Sequence, residues 1–405
     1  MNHRTRLLAL LLAAFVLCSC ASSTVIPVTP TTASFEFDIH DCYGSVPDGP
    51  PIALIGGLLI DGTGAAAQPD STLVIEGCRI VAVGPADELE IPADAEVIEL
   101  NGAAILPGFI DTHVHNTANS INLEAWAQAG VTTVRDLGAP LGVPYFRWRD
   151  ERAGDPNTAR YLSAGPLITV PGGYPIVPGG FPSLAVTSVE DARTQVGQLI
   201  ADGADLIKIT LVVGIPSLSH EEAAAIVEVA HDHEIPVTVH ATDRASLIRA
   251  LAAGVDDIAH MVVDYVPDHI LQQMIDDGIA WVPTLDAGRG DGMENLARFV
   301  ELGGIVALGT DAGYLDGIEI GMNMDELTWM HEAGMTSMQI ILAATSNAAY
   351  VCRLQEDLGT LEPGKLADIL IVEGNPLDDL GALENVLLVI HGGVVIRNEL
   401  EPTTE

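Results

Sequence analysis

Between residues 105 and 350, short apolar runs of strand length alternate with longer helical stretches, and no other feature constrains the fold as strongly. Eight such runs can be read, at 105–106, 132–135, 160–163, 206–209, 237–240, 257–260, 280–283 and 305–308. Strands that read as unbroken apolar runs are buried on both faces, and intervening helices return the chain in parallel. The expected fold class is α/β, a (β/α)8 TIM barrel over 105–357. Between the fourth and fifth runs, Ser219 and Glu222 carry the S-x-x-E capping-box pattern, which opens a helix over 221–231. A Gly/Pro-rich stretch at 171–183 follows the third run, where barrel loops cover an active site.

The flanks read differently. Over 52–104, four-residue apolar runs are separated by Gly, Asp and Pro with no helical period, and the pattern returns after residue 366. Both ends are expected to build one small β-sandwich domain, from 52–104 and 358–400. Before it, Met1 to Arg6 carries two arginines and Leu7 to Leu17 is apolar, too short to span a bilayer. Residues 1–19 therefore read as a signal peptide, with 20–51 as tether and N-terminal extension. Leu17-Cys18-Ser19-Cys20-Ala21 resembles a bacterial lipoprotein box with Cys20 acylated. An ordinary signal peptide cut between Ser19 and Ser23 is the alternative. The protein is expected to be exported, as a cell-envelope lipoprotein or a periplasmic or extracellular protein, touching membrane only through that anchor. Cys42, Cys78 and Cys352 remain. Cys352 is expected to be buried as a small hydrophobe, and a Cys42–Cys78 bridge is left open.

Aspartate and glutamate number 56 against 17 lysines and arginines, a formal charge of −39. Phosphate binding needs clustered cations, so nucleic acid is not an expected partner. A small-molecule substrate is, and homo-oligomerisation stays open. Only two lysines occur, Lys208 and Lys365. Lys208 sits inside an apolar strand candidate, where an unpartnered ammonium is costly.

Catalytic groups of a barrel lie at the C-terminal ends of its strands. The first strand runs out through His113-Val-His115, and residues i and i+2 of a strand share a face, so both imidazoles can aim at one metal. Lys208 comes from the fourth strand, His240 from the fifth, His260 from the sixth and Asp311 from the eighth. Each has a plainer reading: a structural histidine, a helix-capping aspartate, a snorkelling lysine. Six ligand-type residues at the same end of five strands are hard to obtain by accident. A second HxH, His231-Asp-His233, falls at a helix C-terminus and reads as structural.

Together these residues resemble the amidohydrolase superfamily over roughly 52–397. The superfamily pattern is HxH after strand one, a carbamylated lysine on strand four, histidines after strands five and six, and aspartate after strand eight. The imidazolonepropionase-like and prolidase-like branch is the most similar, through Gly130-Val-Thr-Thr-Val-Arg-Asp and Ala344-Thr-Ser-Asn-Ala-Ala. The resemblance implies two divalent metal ions, zinc by preference. It assigns His113, His115 and Asp311 to one and His240 and His260 to the other, with a carbamate on Lys208 bridging them. It implies hydrolysis of an amide, peptide-type bond in a dipeptide or N-acyl amino acid by a metal-bridged hydroxide, with Asp311 shuttling the proton. Lys365, in Leu358-Gly-Thr-Leu-Glu-Pro-Gly-Lys365, receives only a turn role.

The chain departs from the peptidase pattern at two positions: Tyr174 follows Gly172-Gly173 in place of a histidine, and Val263 stands where a tyrosine is common, with Tyr265 two residues on. Either tyrosine is a candidate to polarise the scissile carbonyl. Arg135 is a candidate for a substrate carboxylate, or else forms a structural ion pair. The alternatives are a mononuclear deaminase or imidazolone-type ring hydrolase, which needs no carbamylated lysine, and a non-catalytic binding protein.

Overall fold

The computed structural model describes residues 49–139, 141–175, 183–315 and 317–400. The export segment, Cys20, Cys42 and residues 176–182 of the Gly/Pro-rich loop lie outside the described residues. No helix among the described residues is long and apolar enough to cross a membrane.

An eight-stranded mixed sheet joins both ends of the chain. Its order is Val394–Asn398, Val386–His391, Ile369–Val372, Ala104–Pro107, Ile52–Leu59, Gln68–Glu76 and Arg79–Pro85, with Glu96–Glu99 pairing parallel to Ile52–Leu59. One of its strands corrects the sequence reading. Ile105 and Leu106, expected to start the barrel, instead pair antiparallel with Ile371 and Leu370. Ile105 packs with Leu54, Ile369 and Ile371, while its neighbours Ala104 and Leu106 pack with Phe109 and Leu370 in the main core. A strand buried on both faces is uniformly apolar whichever sheet holds it, so the run itself could not distinguish them.

The parallel strands form two sheets. Phe109–Val114, Val131–Asp136 and Arg160–Ser163 make the first. The second orders Leu184–Ala185, Ile168–Thr169, Ile207–Thr210, Val237–His240, Asp257–Ala259 and Ala280–Val282. Its first two strands are two-residue pieces flanking the Gly/Pro-rich loop, too short to register as an apolar run. The expected eighth strand is not a continuous ladder strand. Val306 makes a parallel bridge to Trp281, and Ala312 makes one to Val114. The Thr112 and His115 amides donate to Leu308 and Ala312, each at 2.8 Å. The 305–312 segment thus reaches from the edge of one parallel sheet to the edge of the other. Gly309 permits this, because a Cβ there would lie 2.3 Å from Val282 Cγ1 and 2.8 Å from His113 Cβ.

The helices hold the strand ends in place. His220–His231 starts on the expected capping box, Ser219 Oγ accepting from the Glu222 amide and the Glu222 carboxylate accepting from the Ser219 amide. It buries Ala223, Ile226, Val227 and Ala230, the i, i+3, i+4, i+7 stripe of an amphipathic helix. Truncating Ile226 to Ala would cost roughly 2–5 kcal/mol. Cys352 is buried with a free thiol just beyond the helix Ser346–Val351, and Cys78 is disulfide-bonded.

Candidate metal centre

Residues 109–114 carry the first HxH out of the core. His113, almost wholly buried, aims Nε2 at Asp311 Oδ1, 3.3 Å away, and His115 Nε2 lies 3.0 Å from the same oxygen. Asp311 adopts a left-handed backbone (φ +62°), a conformation aspartate tolerates better than most side chains. Asp111 ties the two segments together. Its Oδ1 accepts from the amides of His113 and Thr310, each at 3.1 Å, and its Oδ2 accepts from Thr310 Oγ1 at 2.6 Å.

His240 and His260 arrive from adjacent strands, with ring centroids 4.7 Å apart, and the His260 ring is also 4.7 Å from that of His113. Thr284 Oγ1 lies 2.6 Å from His260 Nδ1 and orients the ring. One ligand atom each from His113, His260 and Asp311 fall within 4.8 Å of one another, a spacing that suits an ion. Lys208 projects into the same place from Ile207–Thr210; it is buried, and its Nζ has no hydrogen-bond partner among the described residues. The structure brings all six expected ligands into one cavity of about 210 Å³.

The electrostatics favour metal-ligating protonation states. Burial, then the Lys208 charge, lowers His113 and His240 to about 3, and burial takes His260 well below its ordinary value. Neutral imidazole is the form that donates to a metal. Burial also pushes Asp311 up, but His113 and the hydrogen bonds from His113 and His115 outweigh it, holding the carboxyl well below the usual range. Burial lowers Lys208 to about 7, against the pull of Asp257 and Asp311. His115 moves the other way: burial lowers it, yet the hydrogen bond and charge of Asp311 and the charge of Asp136 leave it raised. The His113 Nδ1 and Lys208 Nζ atoms are buried without partners, and nitrogen and oxygen donors surround them. That donor set fits divalent metal of the zinc type.

The remaining lining is Leu137, Leu167, Tyr174, Pro175, Thr210, Tyr314 and Leu315. Tyr174 stacks on His240 with centroids 4.2 Å apart and 22° between planes. Tyr314, which the sequence did not single out, stacks on His115 at 5.4 Å and 29°. Its place three residues after Asp311, on the same strand-end loop, was the one available signal. Gly313 lets that loop fold back, since a Cβ there would meet the His115 carbonyl oxygen at 2.1 Å.

Two expectations fail on position. Tyr265, one of the two candidate carbonyl donors, lies outside the cavity lining; it is 63% exposed and sits under the Arg298 guanidinium. Arg135 is also absent from the lining. It is buried against Asp257, gripping both carboxylate oxygens at 2.9 Å, with Nε on the Thr112 carbonyl. The structural alternative for Arg135 holds. The second HxH lies away from the site, His231 bound to Asp256 and His233 to the Val229 carbonyl. Lys365 donates to the Gln355 carbonyl and Thr360, closing the turn expected of it.

Comparison with known proteins agrees with this geometry. Ochratoxinase of Aspergillus niger is 25% identical, covering 90% of this chain and 90% of its own length. Imidazolonepropionase of Symbiobacterium thermophilum is 27% identical over 76% of this chain and 85% of its own. The crystal structure of a Xaa-Pro dipeptidase with methionine bound in its active site superposes with a TM-score of 0.77 at 28% identity, covering 86% of this chain and 100% of that one. Such neighbours are of the TIM-barrel type, in keeping with the mixed α/β content seen here. The amidohydrolase family model matches residues 104–396, and the chain belongs to that family.

Proposed function

We propose that this chain is a binuclear metal-dependent hydrolase that cleaves the carbon–nitrogen bond of a small amide. The observation that carries the reading is Lys208: a buried, unpartnered Nζ among four imidazoles and a carboxylate. As a neutral amine it can add carbon dioxide, forming an N–C bond and releasing a proton. The product is an anionic carbamate, which replaces an ill-placed cation with an oxygen ligand. His113, His115 and Asp311 would hold one metal and His240 and His260 the other, with the Lys208 carbamate between them. Two such ions acidify a water and polarise the scissile carbonyl.

The residues then divide the remaining work. Asp311 accepts the proton of the attacking water on its carboxylate and delivers it to the leaving nitrogen. Asp111 fixes the Thr310 and His113 backbones relative to each other. Tyr174, whose hydroxyl forms no hydrogen bond among the described residues, is the candidate donor to the carbonyl oxygen. Burial raises its pKa, so it stays protonated.

The same proposal includes a (β/α)8 ring closed through 305–312, with Phe109–Val114 as its first strand, and a small β-domain from both chain ends that includes Ala104–Pro107. It also includes export, with Cys20 as a lipid-bearing residue, which rests on the sequence of residues 1–21 alone. The His113–His260–Asp311 triad could alone hold one ion, which supports a mononuclear deaminase or ring hydrolase as the second reading. Metal-depleted protein reconstituted with zinc in the presence of bicarbonate, then assayed on neutral amides, separates them. The proposal predicts activity rising to two equivalents; saturation at one supports the second reading.

A further inference from the structure

The cavity holds the chemistry, and its remaining walls say what the substrate carries. Apart from the six candidate ligands, the lining is three leucines, a proline, a threonine and two tyrosines. Among the described residues no arginine lines it, and the only lysine that does is Lys208. Arg135 is held by Asp257 on both oxygens, and Arg244, beyond His240, donates to the Tyr265 carbonyl. Residues 176–182 and 316, which lie outside the described residues and follow Pro175 and Leu315 in sequence, contain no Lys or Arg. A carboxylate placed in these walls would lose its water and gain no paired donor.

The walls are suited to something else. The Tyr174 ring lies flat on His240 and the Tyr314 ring on His115, so an aromatic face stands beside a histidine of each proposed metal set. Leu167 approaches His115 closely enough that both would touch a Cβ at Gly138, at 3.5 and 3.4 Å. Planar apolar groups bury well against such surfaces. The chain's charge of −39 adds long-range repulsion against anions.

Resting on the amide-hydrolase reading, we infer that the physiological substrate class is an uncharged amide bearing an apolar or aromatic group, with no free acid group on the part that lies against these walls. Leu137, Leu167 and Leu315 set that specificity together with the two tyrosine rings. Dipeptides and N-acyl amino acids whose carboxylate falls on that part are then poor substrates.

The test compares 4-(methylsulfonyl)acetanilide with 4-acetamidobenzenesulfonate on zinc-loaded protein, a pair matched in shape and differing in charge. The expected result is a kcat/KM at least on the order of tenfold higher for the neutral sulfone, since an unpaired anion must be desolvated. A preference for the sulfonate, or equality, overturns the inference while leaving amide hydrolysis intact. If neither anilide is cleaved, it is the amide reading that weakens, and calorimetric binding of the same pair to the zinc-loaded protein still decides: tighter binding of the sulfone supports the inference and tighter or equal binding of the sulfonate overturns it. Leu315 is 47% exposed, so Leu315→Arg can be accommodated. That variant should shift the ratio toward the sulfonate by roughly tenfold, the value of about one added ion-pair contact. No shift in a folded variant counts against the placement.

Discussion

The Arg135 guanidinium holds both carboxylate oxygens of Asp257 at 2.9 Å, buried and outside the lining of the candidate metal cavity. Thr238 Oγ1 donates to the same carboxylate at 2.6 Å. Asp257→Asn would leave a buried guanidinium without its counter-charge, and breaking such a pair costs about 3–5 kcal/mol. Urea unfolding should show that loss, while KM of the folded variant stays near the wild-type value. A large rise in KM with stability unchanged would return Arg135 to the substrate.

Tyr174 and Tyr265 make a matched comparison, one on the cavity wall and the other on the surface. Tyr→Phe deletes only a hydroxyl. If Tyr174 hydrogen-bonds the carbonyl oxygen as charge develops there, Tyr174→Phe should lower kcat by about 100-fold with KM little changed. Tyr265→Phe should turn over as wild type, because its ring lies under Arg298 and outside the cavity lining. Equal kinetics for both variants would remove Tyr174 from the reaction.

Glu326 is fully buried; its Oε2 accepts from the Asp286 amide at 2.7 Å and its Oε1 has no partner. Burial raises its pKa to about 8, against backbone hydrogen bonds that lower it. The folded carboxyl therefore keeps a proton that the unfolded chain loses above its ordinary value of 4.5. Stability from this group is complete below 4.5 and is lost as pH rises toward about 8. The loss follows a slope of up to about 1.4 kcal/mol per pH unit. Glu326→Gln should flatten the decline between pH 5 and pH 8. Identical pH–stability curves for the two proteins would contradict it.

The candidate ligands were readable in the sequence because five of them lie at the ends of strand candidates and Lys208 interrupts one, and strand ends in this architecture converge. His113, His115, Lys208, His240, His260 and Asp311 needed only that rule. What escaped depends on contacts across space. Ile105 and Leu106 are as apolar as a barrel strand because both faces are buried, one in each core. Arg135 lies within one apolar run and Asp257 within another, and no local pattern couples them. Tyr265 is five residues from a ligand yet points to solvent, whereas Tyr174, in a Gly-rich stretch, folds back onto His240. Distance along the chain misjudged both. The run at 305–308, expected as an eighth strand, forms only an isolated bridge, and Gly309 lets the segment pass from one parallel sheet to the other without a regular ladder.

A two-metal centre that depends on Lys208 is measured directly by metal content. Wild-type protein saturated with zinc and bicarbonate, then gel-filtered, should carry two equivalents by elemental analysis. Lys208→Ala should carry one or none, since the bridging anion is gone, and propionate should restore part of the loss. Two equivalents retained by Lys208→Ala, or fewer than two in the wild type, would contradict the account.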